Sequence, residues 1–350
     1  MDRVRGRGCL PMSAGYRYAN GISYDVLMEV PAIEAISREW NALLATSGCN
    51  LAFSSAQWFI ASCRTNPHTQ PQVIVARRGN AIVAILPLVL TGEDAVATFA
   101  PCESDYNDIV AAPEDSSAIA GLLNRALSID GPIRALVLSR IRDDSNCMRA
   151  IQSLASCGGL NLRYHPDTTC PFVRLPGSYE EYLQTRSKSF RTSIRQAHRY
   201  ADRDNIRIAE LQPQSFTSDR LPEVFLSLHL DRFAEDSCLA DPAAQAFVYE
   251  VVPSLFEERR LRAFALFEGD RIIAINLCMV GPNSLCLWNG GFTGEAQRWS
   301  PGTLLISACI QEANASELAE FDFMRGSEDY KSRWANGARE IGQFELEAAQ

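Results

Sequence analysis

At 350 residues, 47% hydrophobic and 21% charged, the chain has the composition of a soluble globular protein long enough for two domains. Its net charge of −9 argues against general affinity for nucleic acid or anionic membrane, so any phosphate site has to be local. The longest apolar run, residues 81–90, is interrupted by Pro87 and falls well short of the roughly 18 residues a membrane span needs.

Residues 1–22 carry Arg3, Arg5, Arg7 and Arg17 but no apolar run, which predicts a flexible tail rather than a secretory signal and makes the cytoplasm the default address. A strand at 24–30 leads to a helix at 34–44 with Trp40, Leu43 and Leu44 on one face. Then come a hairpin within 75–89 turning at Gly79, strands near 95–99 and 108–111, a helix over 116–127, a strand at 135–138 and a helix over 147–156. Pro166 and Pro171 bracket an extended stretch that marks a boundary, giving domains at 23–168 and 169–350. The second half opens with a strand at 172–175 and a long helix over 179–203. It continues with a strand at 206–211, helices at 222–233 and 243–258, a hairpin turning at Gly269, a strand at 285–288, a helix over 303–313 and a closing strand at 321–324.

The two hairpins align when the chain is slid against itself by 190 residues: Gly79 falls on Gly269, Ile82 on Ile272, Ala84 on Ala274 and Ile85 on Ile275. In both, Asn80 or Asp270 follows the glycine, as tight turns favour. Similar element order around each hairpin predicts two α+β domains side by side, with a cleft between them as the natural ligand site. The eleven cysteines are scattered at no ligand-like spacing and read as small buried hydrophobes. With no CxxC, HxxxH or HExxH and four widely separated histidines, no metal site is expected.

Six segments carry chemistry. The long helix sets Phe190, Ile194, Ala197 and Ala201 on one face and Lys188, Arg191, Arg195 and Arg199 on another; the row is either a solvated face or a phosphate contact. In WSPGTLL, Pro301, Gly302 and Thr303 stand at a helix start, where free N–H groups favour an anion and where simple capping also belongs. Trp288, Asn289 and Gly290 end a strand with a glycine that permits close backbone approach. In FDFMRGSEDYKSRW a strand breaks at Gly326 into Glu328, Asp329, Tyr330 and Lys331; the alternative to a site is a solvated loop before a helix that packs Trp334. Asp105 and Asp108 in SDYND, and His229 beside Asp231 and Arg232, are further candidate carboxylates and a candidate base.

Together SDYND (104–108), RSKSFRTSIRQAHR (186–199), WSPGTLL (299–305) and FDFMRGSEDYKSRW (321–334) resemble the GNAT-superfamily acyltransferases of the CelD-like group, which are similar in build to the Fem-type aminoacyl ligases. The resemblance covers about residues 24–346. It implies an α+β fold of two tandem GNAT-like domains, each a mixed sheet flanked by helices. It implies acetyl-CoA or another acyl-CoA as co-substrate with no tightly bound cofactor, held by Trp288, Asn289, Gly290, Arg298, Pro301, Gly302 and Thr303; Leu304 stands where the family's R/Q-x-x-G-x-G/A loop has its second glycine. Lys188, Arg191 and Arg195 then bind a phosphate-bearing sugar acceptor together with Asp105, Tyr106 and Asp108, and Tyr330, Lys331 and His229 are the catalytic candidates. The implied function is N-acyl transfer to an amino group of a sugar or cell-envelope or exopolysaccharide precursor, in the cytoplasm or at the periphery of the inner membrane. The expected partners are a small or lipid-linked sugar acceptor and the polysaccharide biosynthesis machinery, with no DNA. Two alternatives stand beside it: a Fem-type ligase using charged tRNA, and a non-catalytic nucleotide-binding effector, for which the RxxxR spacing of a cyclic-di-GMP receptor is the motif.

Overall fold

The computed structural model describes residues 16–17, 21–92, 95–100, 104–128, 132–157 and 160–348, so the expected tail lies almost wholly outside the described residues. The first half runs β1 (Tyr16–Arg17), β2 (Ile22–Leu27), α1 (Val30–Ala35), α2 (Ser37–Leu44), α3 (Ala56–Thr65), β3 (Gln70–Arg78), β4 (Ala81–Thr91), β5 (Val96–Phe99), β6 (Val110–Ala111), α4 (Ser116–Ala126), β7 (Ala135–Arg142) and α5 (Asn146–Cys157). The second half runs β8 (Leu160–Arg174), α6 (Tyr179–Gln184), α7 (Lys188–Arg203), β9 (Ile206–Leu211), α8 (Leu221–Phe233), α9 (Pro242–Glu257), β10 (Leu261–Glu268), β11 (Arg271–Val280), β12 (Ser284–Phe292), α10 (Pro301–Ala315), β13 (Glu320–Asp322), α11 (Asp329–Trp334) and β14 (Gly337–Ala348). The fold is the expected α+β arrangement, a large mixed sheet flanked by helices.

Both hairpins form around the glycines that the sequence singles out, Gly79 at φ 62° and Gly269 at φ 59°, a left-handed conformation that costs other residues more. The repeat extends to irregularities. The β3–β4 ladder slips between Ala76 and Arg77, and the β10–β11 ladder slips between Leu266 and Phe267, the same place after a 190-residue shift. In each half a third strand follows the hairpin antiparallel, and a helix then crosses to a parallel fourth strand. Val96 pairs with Ala135 in one and Ser284 with Glu320 in the other.

The expected long helix over 179–203 is two helices. Ser187 interrupts it, accepting the Phe190 N–H at 3.2 Å and so capping the N-terminus of α7. The expected helix at 34–44 is likewise divided, into α1 and α2. α3, which the sequence reading did not include, starts at Ser55, whose hydroxyl accepts from Trp58 N. Seven of its ten residues are buried, including the run from Trp58 to Cys63, which leaves a polar face of little more than Gln57 and Arg64 to betray a helical period.

One sheet holds thirteen strands in the order β1-β2-β3-β4-β5-β7-β14-β8-β13-β12-β11-β10-β9, with β6 attached to β4. The expected division at residues 168 and 169 falls inside β8. Beyond it the halves exchange strands: β14 lies between β7 and β8, and β8 pairs with β13. They also share a core in which Phe53, Trp58 and Tyr106 of the first half pack among α8, α9 and Trp288 of the second. Trp58 meets Phe247 and Trp288 edge-on, with centroids 4.8 and 5.6 Å apart.

Candidate functional site

β12 and β13 are hydrogen-bonded in parallel only from Ser284, Leu285 and Cys286 against Glu320, Phe321 and Asp322. After that the chains separate. β12 stays paired to β11 as far as Phe292, with a bulge near Trp288, while Phe323 turns away, its N–H donating to Pro171 O at 2.9 Å. β12 and β13 therefore share no ladder beyond Cys286 and Asp322. A cavity of about 840 Å3 occupies the gap, lined by residues 287–292 on one side and Phe323, Arg325 and Gly326 on the other.

α10 starts beneath this gap. Ser300 adopts φ 55°, ψ 59°, and Pro301, Gly302 and Thr303 follow on the cavity wall. The first-turn N–H groups of a helix have no intrahelical acceptor and sit at its positive dipole end. Nothing lies within 4 Å of where a Gly302 Cβ would stand, so that backbone is open to the cavity.

The segment 322–334 forms the opposite wall. Asp322 is buried and accepts the Tyr106 O–H at 2.8 Å and the Met324 N–H at 2.7 Å, with Arg339 at 3.8 Å. Burial pushes its carboxyl up from the ordinary value, against the pull of Arg339. The bond to Met324 holds that residue at φ 59° and turns the chain into the cavity. Gly326, at φ 110°, has no room for a side chain: a Cβ would lie 2.9 Å from Lys331 Nζ. Lys331 itself is 5% exposed, its ammonium bound to the Arg325 carbonyl and to Glu328 at 3.0 Å. Tyr330 is 39% exposed on the cavity wall. Desolvation, then Glu328, push its hydroxyl up to about 12, with Arg232 pulling the other way.

Of the residues singled out from sequence, Trp288, Asn289, Gly290, Pro301, Gly302, Thr303, Tyr330, Lys331 and Asp105 line this one cavity. The others are employed elsewhere. Asp108 is buried, accepting N–H groups from Ile109, Asn146 and Cys147 at 2.8, 3.1 and 2.7 Å, so it caps α5. Burial raises its pKa to about 6. Tyr106 spends its hydroxyl on Asp322. His229 uses both ring nitrogens: Nδ1 sits 3.0 Å from the Gly290 carbonyl and Nε2 2.7 Å from Ser237 Oγ. A carbonyl only accepts, so Nδ1 carries the proton and Nε2 accepts from the serine. This histidine fastens α8 to β12, and burial lowers its pKa. Arg298 lies outside the cavity, stacked on Trp299 with 3.9 Å to the ring centroid and paired with Glu268 at 3.3 Å. Lys188, Arg191 and Arg195 stand on the outer face of α7 rather than among the cavity residues. The expected interdomain cleft is also displaced. Nearly the whole cavity belongs to the second half, and the first contributes Asp105 and residue Thr168 at the boundary.

Four further cavity residues have clear chemistry: Asn276, Arg325 and Arg333, none of them singled out from sequence, and Arg232, named there only as a neighbour of His229. Arg232 stacks on Phe292 at 4.1 Å and Phe233 at 4.8 Å, and Arg325 faces Asp105 at 3.8 Å. Arg333 stacks on Phe190 at 4.8 Å. With Lys331 these make four cations against the carboxylates of Asp105 and Glu328, a cationic cavity in an acidic protein. Such a site suits an anionic ligand. An arginine beside aromatic positions, as in DRF (231–233) and RW (333–334), was the available signal.

The model of an acetyltransferase (GNAT) domain matches residues 188–332, which contain both strands of the gap, α10 and the wall segment through Ser332. No curated protein matches the sequence. Among solved structures, FemX superposes with a TM-score of 0.63 at 10% identity, over 87% of this chain and 95% of that one. The C-terminal (DUF2156) domain of a protein assigned as a lysylphosphatidylglycerol synthetase from Agrobacterium fabrum gives 0.59 at 13% identity, over 91% and 93%. L-PGS from Bacillus licheniformis gives 0.59 at 12%, over 89% and 91%. Residues 188–332 match an acetyltransferase (GNAT) domain, and the chain as a whole shares the fold of FemX.

Proposed function

We propose that the protein is an N-acyltransferase that moves an acyl group, most simply acetyl from acetyl-CoA, to an amino group of a sugar or cell-envelope or exopolysaccharide precursor. The observation that carries this reading is the parting of β12 from β13 directly above the start of α10. The edge of β12 that faces the cavity suits the amide-bearing arm of a thioester, and the first turn of α10 suits its pyrophosphate.

Direct transfer requires removal of a proton from the attacking ammonium and delivery of one to the departing thiolate. Tyr330, held protonated at neutral pH by its raised pKa, is assigned the second task. Asp105 is the carboxylate placed to bind the acceptor amine, with Arg325 orienting it. Lys331 acts through others: its ammonium closes the 325–328 turn and so positions Tyr330. The remaining cations, Arg232 and Arg333, suit a phosphate on the acceptor or donor.

The superposition on FemX favours a second reading, aminoacyl transfer from charged tRNA in the same cavity. The test is free-thiol release from acetyl-CoA in the presence of amino-sugar nucleotides or lipid-linked amino sugars. Acceptor-dependent release that falls at least tenfold in kcat for Tyr330→Phe supports the proposal. No calorimetric binding of acetyl-CoA at millimolar concentration overturns the thioester version, and acceptor-dependent deacylation of charged tRNA would replace it. Binding of a cyclic dinucleotide without turnover of either donor would indicate the effector.

A further inference from the structure

The cationic row on α7 is not consumed by the cavity. Lys188, Arg195 and Arg199 are exposed, Arg191 is half-buried and donates to the Gln184 carbonyl at 3.1 Å, and among the described residues none of the four has a carboxylate in ion-pair reach. From residue 188 to residue 199 they extend about 16 Å along one helix face. Local physics does not account for them. Cations three and four residues apart repel one another. Lys188 and Arg191 also stand at the positive end of the helix dipole, in a first turn with no acidic residue. The helix therefore carries this row at a cost to its own stability, and an external anion is what would offset it.

We propose that this face of α7 is a docking surface for an anionic lipid bilayer. Its position gives the docking a purpose. Phe190, in the same first turn but on the buried face, forms part of the cavity wall, with Arg333 stacked upon it, so the N-terminal turn of α7 stands between the cationic row and the cavity. A bilayer bound along α7 sets the cavity mouth beside the headgroup layer. The surface fits a lipid better than a polynucleotide: it is a convex helix rather than a groove, and Tyr200 is the only exposed aromatic on α7, too few for base stacking. The docking is independent of which acyl donor the cavity takes.

The test is sedimentation of the full chain with phosphatidylcholine vesicles, with and without 30% phosphatidylglycerol. Binding to the anionic vesicles alone, lost at 0.5 M salt, is expected. Lys188→Gln, Arg195→Gln and Arg199→Gln should each weaken partitioning about fivefold, and the three combined with Arg191→Gln several hundredfold, as roughly additive surface charges do. The control Arg271→Gln, on the β10–β11 hairpin, should leave it unchanged. Because the row strains its helix, the quadruple variant should melt no lower than the wild type, which separates lost docking from lost folding. Equal binding to neutral vesicles, unchanged binding by the graded variants, or capture of transfer RNA with no binding to anionic vesicles each overturns the proposal.

Discussion

Replacing Gly291 with alanine tests how the cavity is framed. Gly291 lies where α8 crosses β12: an added Cβ would stand 2.5 Å from His229 Cα and closer still to His229 N and Leu228 C. Ordinary van der Waals contact begins near 3.4 Å and His229 N would lie at 2.3 Å, so the backbone of α8 has to retreat by about 1.1 Å. Such overpacking costs about 1–3 kcal/mol. The retreat also stretches the 3.0 Å contact between His229 Nδ1 and the Gly290 carbonyl, adding about 1 kcal/mol. Alanine returns about 0.5 kcal/mol by restricting the unfolded chain. The net expectation is a loss of about 1.5–3.5 kcal/mol in equilibrium unfolding by urea. Because α8 carries Arg232 and Phe233 on the cavity wall, ligand affinity should fall with it. Stability within about 0.5 kcal/mol of the wild type would refute the close-packing argument.

Gly302→Ala should do the reverse. Its Cβ meets no atom within 4 Å and its φ is not positive, so folding should be unchanged or improved by up to about 1 kcal/mol, while the methyl group projects into the cavity and weakens acetyl-CoA binding at least fivefold in calorimetry. Unaltered affinity would show that the donor does not approach the start of α10. His229 makes stability depend on pH with a defined sign. Its folded pKa lies below the unfolded value of about 6.5, so the unfolded chain takes up the proton first and stability is lost as pH falls from 7 towards 5. In His229→Gln that component should vanish, and parallel stability curves for the two proteins between pH 5 and 7 would count against the assigned contacts.

The hairpins were legible because a glycine in a left-handed turn between two apolar runs leaves few alternatives, and the 190-residue repeat reaches as far as the matching ladder slips. α3 was not, since the unbroken buried run from Trp58 to Cys63 hides its period. β14 was passed over although Phe344 and Leu346 alternate with Gln343 and Glu345, because its partners, β7 and β8, lie far back in the chain. In the site, the charge cluster at 326–331 was visible as a place but not as a set of roles. Asp322 is committed to Tyr106, more than two hundred residues away, and Lys331 to the Arg325 carbonyl, and neither commitment is written in local spacing. Asp105 and Asp108, equivalent in the sequence, differ only because one meets three backbone N–H groups of its own half and the other faces Arg325 across the cavity.

The exchange of β8 and β14 sets the order in which the molecule becomes complete. During synthesis β7 appears with β5 along one side and nothing along the other until β14 follows about 200 residues later. At roughly 5–20 residues per second that interval is about 10–40 s. Throughout it, an open strand edge built from ALVLSRIR is a template for pairing with another nascent chain. Neither half can finish its sheet and wait for the other; the last strand closes both at once, so the cavity becomes permanent only when the C-terminal residues have found a strand laid down near the middle of the chain.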